Sequence, residues 1–323
     1  MKRCCIIYNE PRPGALPDEL DVLDQVEHIE KHMIELGISV YRKGFSDRFM
    51  DEIQVLISEK PDFVFNLVES INNSGELIYF VPALLNLHKI PYSGNSFESI
   101  FLTTSKTLAS KMMKGAGVGN PGSYYPSQHN LLKPGRKYII KPIWEDGSLG
   151  ITADSVFVCK PGYEEILKGK DDAHWFIEDF IDGREFNMSV LAGKDGPEVM
   201  PPAEIVFVDY GEIRPRIVEF KAKWEEDSFE YDNTVREFPG EALGAELEKN
   251  LKEAARKCWH LFGLKGYARV DARIDSDNNV YVIEINGNPC ISPNGGFVAA
   301  TKQGGHSFST VLQRIIDDLN LFS

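Results

Sequence analysis

Apolar and polar positions recur along the chain with two different periods. Cys4 to Tyr8 is an apolar run of strand length. Val22, Val26, Ile29, Met33 and Leu36 follow at steps of four and three, one helical stripe that Gly37 closes. Ile38 to Tyr41 reads as a second strand and Phe49 to Ser58 as a second helix. Phe63 to Leu67 reads as a third strand, and Leu77 to Leu87 as a helix with Pro82 inside it. This order predicts a parallel sheet with helices on its faces. Asn9-Glu10-Pro11-Arg12-Pro13-Gly14 lacks the glycines of a pyrophosphate turn, which argues against a nicotinamide oxidoreductase. Pro91-Tyr92-Ser93-Gly94 is a turn, after which Thr103 or Thr104 caps a helix running through Lys106 and Met112 to Gly115 or Gly117. From about residue 120 strands dominate: Tyr138 to Lys141, Trp175 to Phe180, Glu185 to Leu191 and Ala203 to Phe207. A long helix spans Ala245 to Phe262, and a last one carries Phe308, Leu312, Ile315 and Leu319. The chain therefore reads as α/β first and α+β afterwards, without internal repeats.

The segment between those two helices carries the most chemistry. Gly266 to Ile274 alternates strictly, so Tyr267, Arg269, Asp271 and Arg273 share one face. In Val280 to Asn286, Glu284 and Asn286 take one face while Ile283 and Ile285 take the other. With Ser276-Asp277-Asn278-Asn279 as a four-residue loop, Asp275 pairs with Val280, Asp271 faces Glu284 and Arg269 faces Asn286. Two carboxylates opposed across a sheet repel. A hard divalent cation removes that conflict, because magnesium prefers carboxylate and amide oxygens. The alternative is a solvated polar face with Arg269 and Arg273 as counter-charges. A second stretch, Lys141-Pro142-Ile143-Trp144-Glu145-Asp146-Gly147-Ser148-Leu149-Gly150, runs from a strand-end lysine into a glycine turn. It suits either backbone N–H contacts to phosphate or a plain turn.

Composition narrows the partners. The 323 residues suggest two or three small domains. Thirty-five basic against 49 acidic residues give a net charge of −14, which excludes a general affinity for nucleic acid or an anionic membrane. The first residues turn polar too soon for a signal peptide, no apolar run reaches membrane-spanning length, and five cysteines have no metal-ligand spacing. The expectation is a reduced, cytoplasmic protein. His28 and His32 lie beside an apolar stripe and read as structural, and Cys290 reads as a packed side chain before a reactive thiol.

Taken in order, these pieces resemble the ATP-grasp superfamily, in particular the D-alanine–D-alanine ligase group. The likeness runs from about Gly75 onward through Pro91–Gly94, Lys141–Gly150 and Ile177-Glu178-Asp179-Phe180-Ile181-Asp182-Gly183-Arg184-Glu185. It continues through Lys221-Ala222-Lys223-Trp224, Asp232-Asn233-Thr234 and Arg269-Val270-Asp271 to Glu284-Ile285-Asn286-Gly287-Asn288-Pro289. The resemblance implies a parallel α/β domain over 1–97, followed by a two-part ATP-grasp fold over 98–182 and 183–323. It implies ATP between two antiparallel sheets, with Lys106 and Lys141 on the phosphates and Lys223 or Lys221 on the γ-phosphate. Glu178 and the backbone at Phe180 and Ile181 would hold adenine, Glu185 the ribose, and Asp271, Glu284 and Asn286 magnesium, with manganese as the alternative.

The chemistry so implied is acyl-phosphate formation on a carboxylate, then attack by an amine. Arg269 would stabilise the oxyanion and Lys223 and Ser148 would serve the transfer, with Lys223 to Thr234 as a lid. Small amino acids would be the substrates, cell-wall peptide synthesis the setting and a homodimer the assembly. The substrate side departs from the family pattern. Glu19 is a loose counterpart of the family's amine-binding run, and Val68-Glu69 stands where a His-Gly pair is usual. Gly147 replaces a serine, and Trp224 replaces the tyrosine whose hydroxyl links lid to loop. Pro293-Asn294-Gly295-Gly296-Phe297 replaces a Ser-Leu acceptor segment, so Gly295 and Gly296 either bind a carboxylate or make room. Two readings therefore stand beside a D-alanine–D-alanine ligase: a ligase for other amino acids or another amine, and a non-catalytic ATP-binding protein.

Overall fold

The computed structural model describes residues 2–46, 48–72 and 74–321. The first unit is β1 (Arg3–Asn9), α1 (Pro17–Glu35), β2 (Ser39–Phe45), α2 (Phe49–Glu59) and β3 (Phe63–Leu67). β2 and β3 flank β1 and run parallel to it. The run Cys4–Tyr8 is apolar throughout because both faces of β1 are covered. Cys4, Ile6 and Tyr8 pack with the Val22–Met33 stripe of α1, and Cys5 and Ile7 with Phe49, Ile53 and Leu56 of α2.

Two helix boundaries differ from the expectation. Pro82 lies in the first turn of α3 (Phe80–Leu87), where a missing N–H costs no helical bond. Thr103 and Thr104 cap nothing: they end α4 (Phe97–Thr104), their hydroxyls donating back to the carbonyls of Ser99 and Ile100 at 2.9 and 2.7 Å. Ser105 is the cap of α5 (Lys106–Gly115), accepting from the N–H of Leu108.

A four-stranded antiparallel sheet follows, with β4 (Ser123–Tyr124), β5 (Lys137–Pro142), β6 (Val156–Val158) and β7 (Trp175–Asp179) in the order β4-β7-β5-β6. The larger antiparallel sheet contains β8 (Arg184–Leu191), β9 (Glu198–Val199), β10 (Ala203–Phe207), β11 (Thr234–Glu237), β12 (Tyr267–Ile274) and β13 (Val280–Asn286). Its order is β11-β10-β8-β12-β13, with β9 beside β8. Two short helices, α6 (Phe220–Trp224) and α7 (Phe229–Asn233), precede β11. The long helix α8 (Ala245–Leu261) covers one face of the large sheet, where Leu247, Leu251, Ala255 and Cys258 meet Phe186, Met188, Val190, Ala268, Val270 and Ala272. The other face is left to the functional cleft. Two closing helices follow: α9 (Gly296–Gln303) packs on β8 and on α10 (Phe308–Asp317), and α10 packs on α1, so one continuous core ties the first unit to the end of the chain. His28 belongs to that contact, stacked on Phe308 with ring centroids 4.0 Å apart, which accounts for the histidine pair without a metal. Among the described residues no helix is long and apolar enough to cross a membrane.

The β12–β13 hairpin departs from its expected register near the turn. Ile274, not Asp275, pairs with Val280, because the Asp275 carboxylate gathers the N–H groups of Asp277 and Asn279 into a five-residue loop. A bulge after Asp271 then absorbs one residue, and Asp271 faces Glu284 and Arg269 faces Asn286 as expected. The bulge also turns Ile283 to the same side as Glu284, into the cleft, while Val282 and Ile285 both enter the core under α8.

Candidate active site

The two antiparallel sheets and the loops after β1 and β3 enclose a cleft of about 1310 Å³. Among the residues lining it are Lys106, Lys141, Ser148, Glu178, Phe180, Ile181, Glu185, Lys223, Arg269, Asp271, Glu284 and Asn286, with Glu19, Glu69, Gly295 and Gly296 at the other end. Lys221 does not line it, its side chain being exposed on α6, whereas Lys223 does.

Several charged side chains in the cleft meet opposite ones. Ser105 starts α5 so that Lys106 projects from its first turn. Its Nζ lies 2.7 Å from the Glu145 carbonyl, 2.9 Å from Asp146 and 3.0 Å from Glu284. Lys141 on β5 meets Glu178 on the adjacent β7 at 2.7 Å. Glu185 and Arg273 face each other across β8 and β12, 3.8 Å apart. Arg269 donates both Nε and Nη2 to Asp271, at 2.8 and 2.7 Å, and the Asn286 amide donates to the same carboxylate at 3.2 Å. Burial alone would raise Glu284, but Lys106, Lys223 and Arg269 outweigh it and hold the carboxyl at about 2. Burial pushes Glu178 and Glu185 up, with Lys141 and Arg273 opposing.

The two opposed carboxylates thus answer each other's repulsion with Arg269 and Lys106. Asp271, Glu284 and the amide of Asn286 form a donor set of hard oxygens that fits magnesium. Among the described residues no three His, Cys, Asp or Glu side chains cluster to hold a metal on their own. A magnesium ion at this set would keep positions for water and phosphate oxygens, as that ion prefers.

Beside this set Lys223, Arg236 and Arg269 crowd together. Burial and the charge of Arg269 push both the Lys223 ammonium and the Arg236 guanidinium down, a strain that a bound anion relieves. Arg236 was not singled out in the sequence, although Thr234 and Arg236 alternate on a short strand. Asp146, directly before Gly147-Ser148, and Asp21 and Gln25, one helical turn apart on α1, were also missed. The apolar walls include Ile139, Phe180, Ile217 and Ile283, a slot suited to a flat ring.

Gly147, Ser148 and Gly150 all adopt positive φ, and for Ser148 at +66° this conformation is costly. The Ser148 hydroxyl donates to the Val218 carbonyl at 2.7 Å, and the Trp224 indole N–H reaches the Gly147 carbonyl at 3.3 Å. The segment around Trp224 is therefore linked to the glycine loop without a tyrosine hydroxyl, by a different donor.

At the far end, Glu19 caps its own helix, accepting from the Leu16 N–H at 2.8 Å. Gly295 spends its N–H on the Ser292 carbonyl, and Gly296 opens α9. Cys290 donates to Asp21 and Ser292 at 3.0 and 3.1 Å, and burial together with Asp21 pushes its thiol to about 12, as befits a packed group.

Comparison with known proteins adds the lineage. A family model described as the D-ala D-ala ligase C-terminus matches residues 136–317. A D-alanine–D-alanine ligase of Carboxydothermus hydrogenoformans is 29% identical over 317 residues, 94% of this chain and 95% of that protein. An uncharacterised protein of Sinorhizobium fredii is 29% identical over 273 residues, 81% of this chain and 75% of its own. The crystal structure of a D-alanine–D-alanine ligase from Bacillus anthracis superposes with a TM-score of 0.76 at 20% identity, covering 98% of this chain and 97% of that one.

Proposed function

The chain belongs to the D-alanine–D-alanine ligase family, and on that premise we propose that it is an ATP-dependent ligase joining the carboxylate of one small amino acid to the amine of another. The observation that carries this reading is the complete charged row of the cleft, with Lys106, Lys141, Lys223 and Arg269 beside Asp271, Glu284 and Asn286. A non-catalytic ATP-binding protein would have no need to keep all of them.

Adenine takes the apolar slot at Phe180 and Ile181, with Glu178 beside it, and Glu185 takes the ribose. Lys106 and Lys141 exchange their carboxylate partners for phosphate oxygens, and Lys223 meets the γ-phosphate, whose charge offsets the burial and the Arg269 repulsion that weigh on its ammonium. Asp271, Glu284 and Asn286 would hold magnesium, or manganese in its place, which neutralises phosphate charge during transfer. The substrate carboxylate attacks the γ-phosphorus, ADP departs and an acyl phosphate remains. The amine then attacks the carbonyl, Arg269 steadies the oxyanion, and phosphate leaves. The segment from Lys223 to Thr234, tied down by Trp224 and Ser148, keeps water from the acyl phosphate. A homodimer in the cytoplasm and a place in cell-wall peptide synthesis belong to the same reading.

The test is ADP release by the purified protein with Mg²⁺ and ATP, against D-alanine first and then amino acids singly and in pairs, with mass spectrometry of the products. D-Alanine-dependent ADP release with a dipeptide product is the expected outcome. Release only with another pair assigns a different acceptor to the Pro293–Phe297 loop. ATP binding without turnover for any pair would overturn the ligase reading.

A further inference from the structure

Amide formation from an acyl phosphate needs a free amine, whereas an amino acid arrives as an ammonium ion. Some group in the cleft must take that proton, and most of its carboxylates are poorly suited. Asp271, Glu284, Glu178 and Asp146 are each tied to a lysine or arginine within 3.0 Å. An ion-paired carboxylate is a weak base. Asp21 already accepts from Gln25 and Cys290, both at 3.0 Å, and the Cys290 thiol is itself protonated. Asp18 turns one oxygen into the protein, shut off from solvent.

Glu69 differs from all of these. It lies directly after β3, and its backbone is clamped to the end of β1: the Asn9 side chain accepts from the N–H of Glu69 at 2.8 Å and of Ser70 at 3.1 Å, and donates to the Ser70 carbonyl at 2.8 Å. The carboxyl enters the cleft with no ion-pair partner among the described residues. The groups facing it are Asp18, Asp21 and Gln25 from α1 and Asp146 from the loop after β5, and its charge is felt at Tyr267 on β12, two residues before Arg269. The Glu69 side chain stays open to solvent in the cleft; the protein packed around it, then Asp21 and Asp146, push it up to about 8, with a hydrogen bond from Gln25 opposing. That is close to the range of an amino-acid ammonium, where proton exchange between the two is nearly balanced. The surrounding carboxylates also favour an incoming cation at this end.

Resting on the ligase reading above, we propose that Glu69 is the catalytic base of the second half-reaction, taking one proton from the ammonium of the acceptor. The freed nitrogen lone pair attacks the acyl-phosphate carbonyl and the new C–N bond forms. The carbonyl carbon–oxygen bond to phosphate breaks, and phosphate leaves with that electron pair. The nitrogen's second surplus proton departs with the phosphate, and Glu69 returns its own to water when the amide is released.

Hydroxylamine separates this step from the first, because it is already unprotonated at neutral pH and needs no base to attack. Wild-type protein and Glu69→Gln are compared with Mg²⁺, ATP and D-alanine, measuring amide product in one arm and hydroxamate in the other. The ratio of amide to hydroxamate should fall by roughly 100-fold in Glu69→Gln, within the usual reach of general-base catalysis. Hydroxamate formation also reports a folded site. The wild-type kcat for amide should rise as pH passes through about 8 and Glu69 loses its proton. Glu69→Gln should lose that limb and Glu69→Asp should keep part of it. An unchanged ratio, or a change confined to the KM of the acceptor, would make Glu69 a binding group only and overturn the assignment. Absence of both products from the wild type would overturn the ligase reading and this assignment with it.

Discussion

Replacing Lys106 by methionine removes the cation that two carboxylates share. Lys106 is 8% exposed, with Asp146 at 2.9 Å and Glu284 at 3.0 Å. Burial by itself would raise Glu284, yet Lys106, Lys223 and Arg269 bring it from 4.5 to about 2. At about 1.36 kcal/mol per pKa unit, that displacement corresponds to roughly 3 kcal/mol at neutral pH. Lys223 and Arg269 share in it, so about 2 kcal/mol should go with the lysine. Because the folded carboxyl is depressed, its contribution is complete above the unfolded value of 4.5 and is lost as pH falls through about 2. Urea unfolding at pH 7 should therefore show Lys106→Met about 2 kcal/mol less stable than wild type. The gap should shrink to roughly half near pH 3. Adding Glu284→Gln should recover part of the loss, since the orphaned carboxylate goes with it. Equal stabilities at pH 7, or a gap undiminished at acid pH, would refute the claim that Lys106 neutralises Glu284.

Three other variants and one labelling experiment probe the remaining parts of the site. Arg269→Gln should lower amide-forming turnover by roughly 10²–10³ while nucleotide affinity, read by calorimetry, changes far less. Glu284→Gln should abolish ATP turnover and still unfold cooperatively on heating, whereas full turnover would remove the metal assignment. Trp224→Phe keeps the ring but loses the N–H to Gly147, a bond worth about 0.5–1.5 kcal/mol. ADP released without amide should rise by roughly two- to ten-fold, measured as the ratio of ADP to product. Cys290, held at about 12 by burial and Asp21, should react with iodoacetamide at pH 8 at least ~100-fold more slowly than free cysteine.

Regions that carry their own periodicity were legible without the structure. The β1–β3 unit follows from a fully apolar strand and a four-three helical stripe, and the ligand row from strict alternation in Tyr267–Arg273. What escaped was set by local competition or by tertiary contact. Ser105 rather than Thr103 or Thr104 caps α5 because those hydroxyls already bond back into α4. α4 itself was hidden, since Phe97–Thr104 shows too short a period to be told from a loop. Glu19 seemed free on paper, but its carboxylate is consumed in capping its own helix. Arg236 draws its meaning from Arg269, a neighbour that only the folded sheets bring near.

The hairpin shows why a correct pairing does not certify the reasoning behind it. Simple alternation with a four-residue loop puts Asp271 opposite Glu284, and so does the structure, but by another route. Asp275 joins the turn, which lengthens by one residue and shifts the strands, and the bulge at Ile283 shifts them back. The signal was present: Val282 and Ile285, both core residues, are three apart, a spacing no regular strand can bury on one face. That irregularity has a functional consequence, because it delivers Ile283 to the cleft together with Glu284. The apolar wall and the charged row, which alternation would have put on opposite faces, share one side. Straightening the bulge by deleting Ile283 should therefore cost the site twice, removing a wall of the ring slot and turning either Glu284 or Val282 to the wrong face. By this argument such a deletion loses nucleotide binding altogether, whereas Ile283→Val keeps the register and weakens it only slightly.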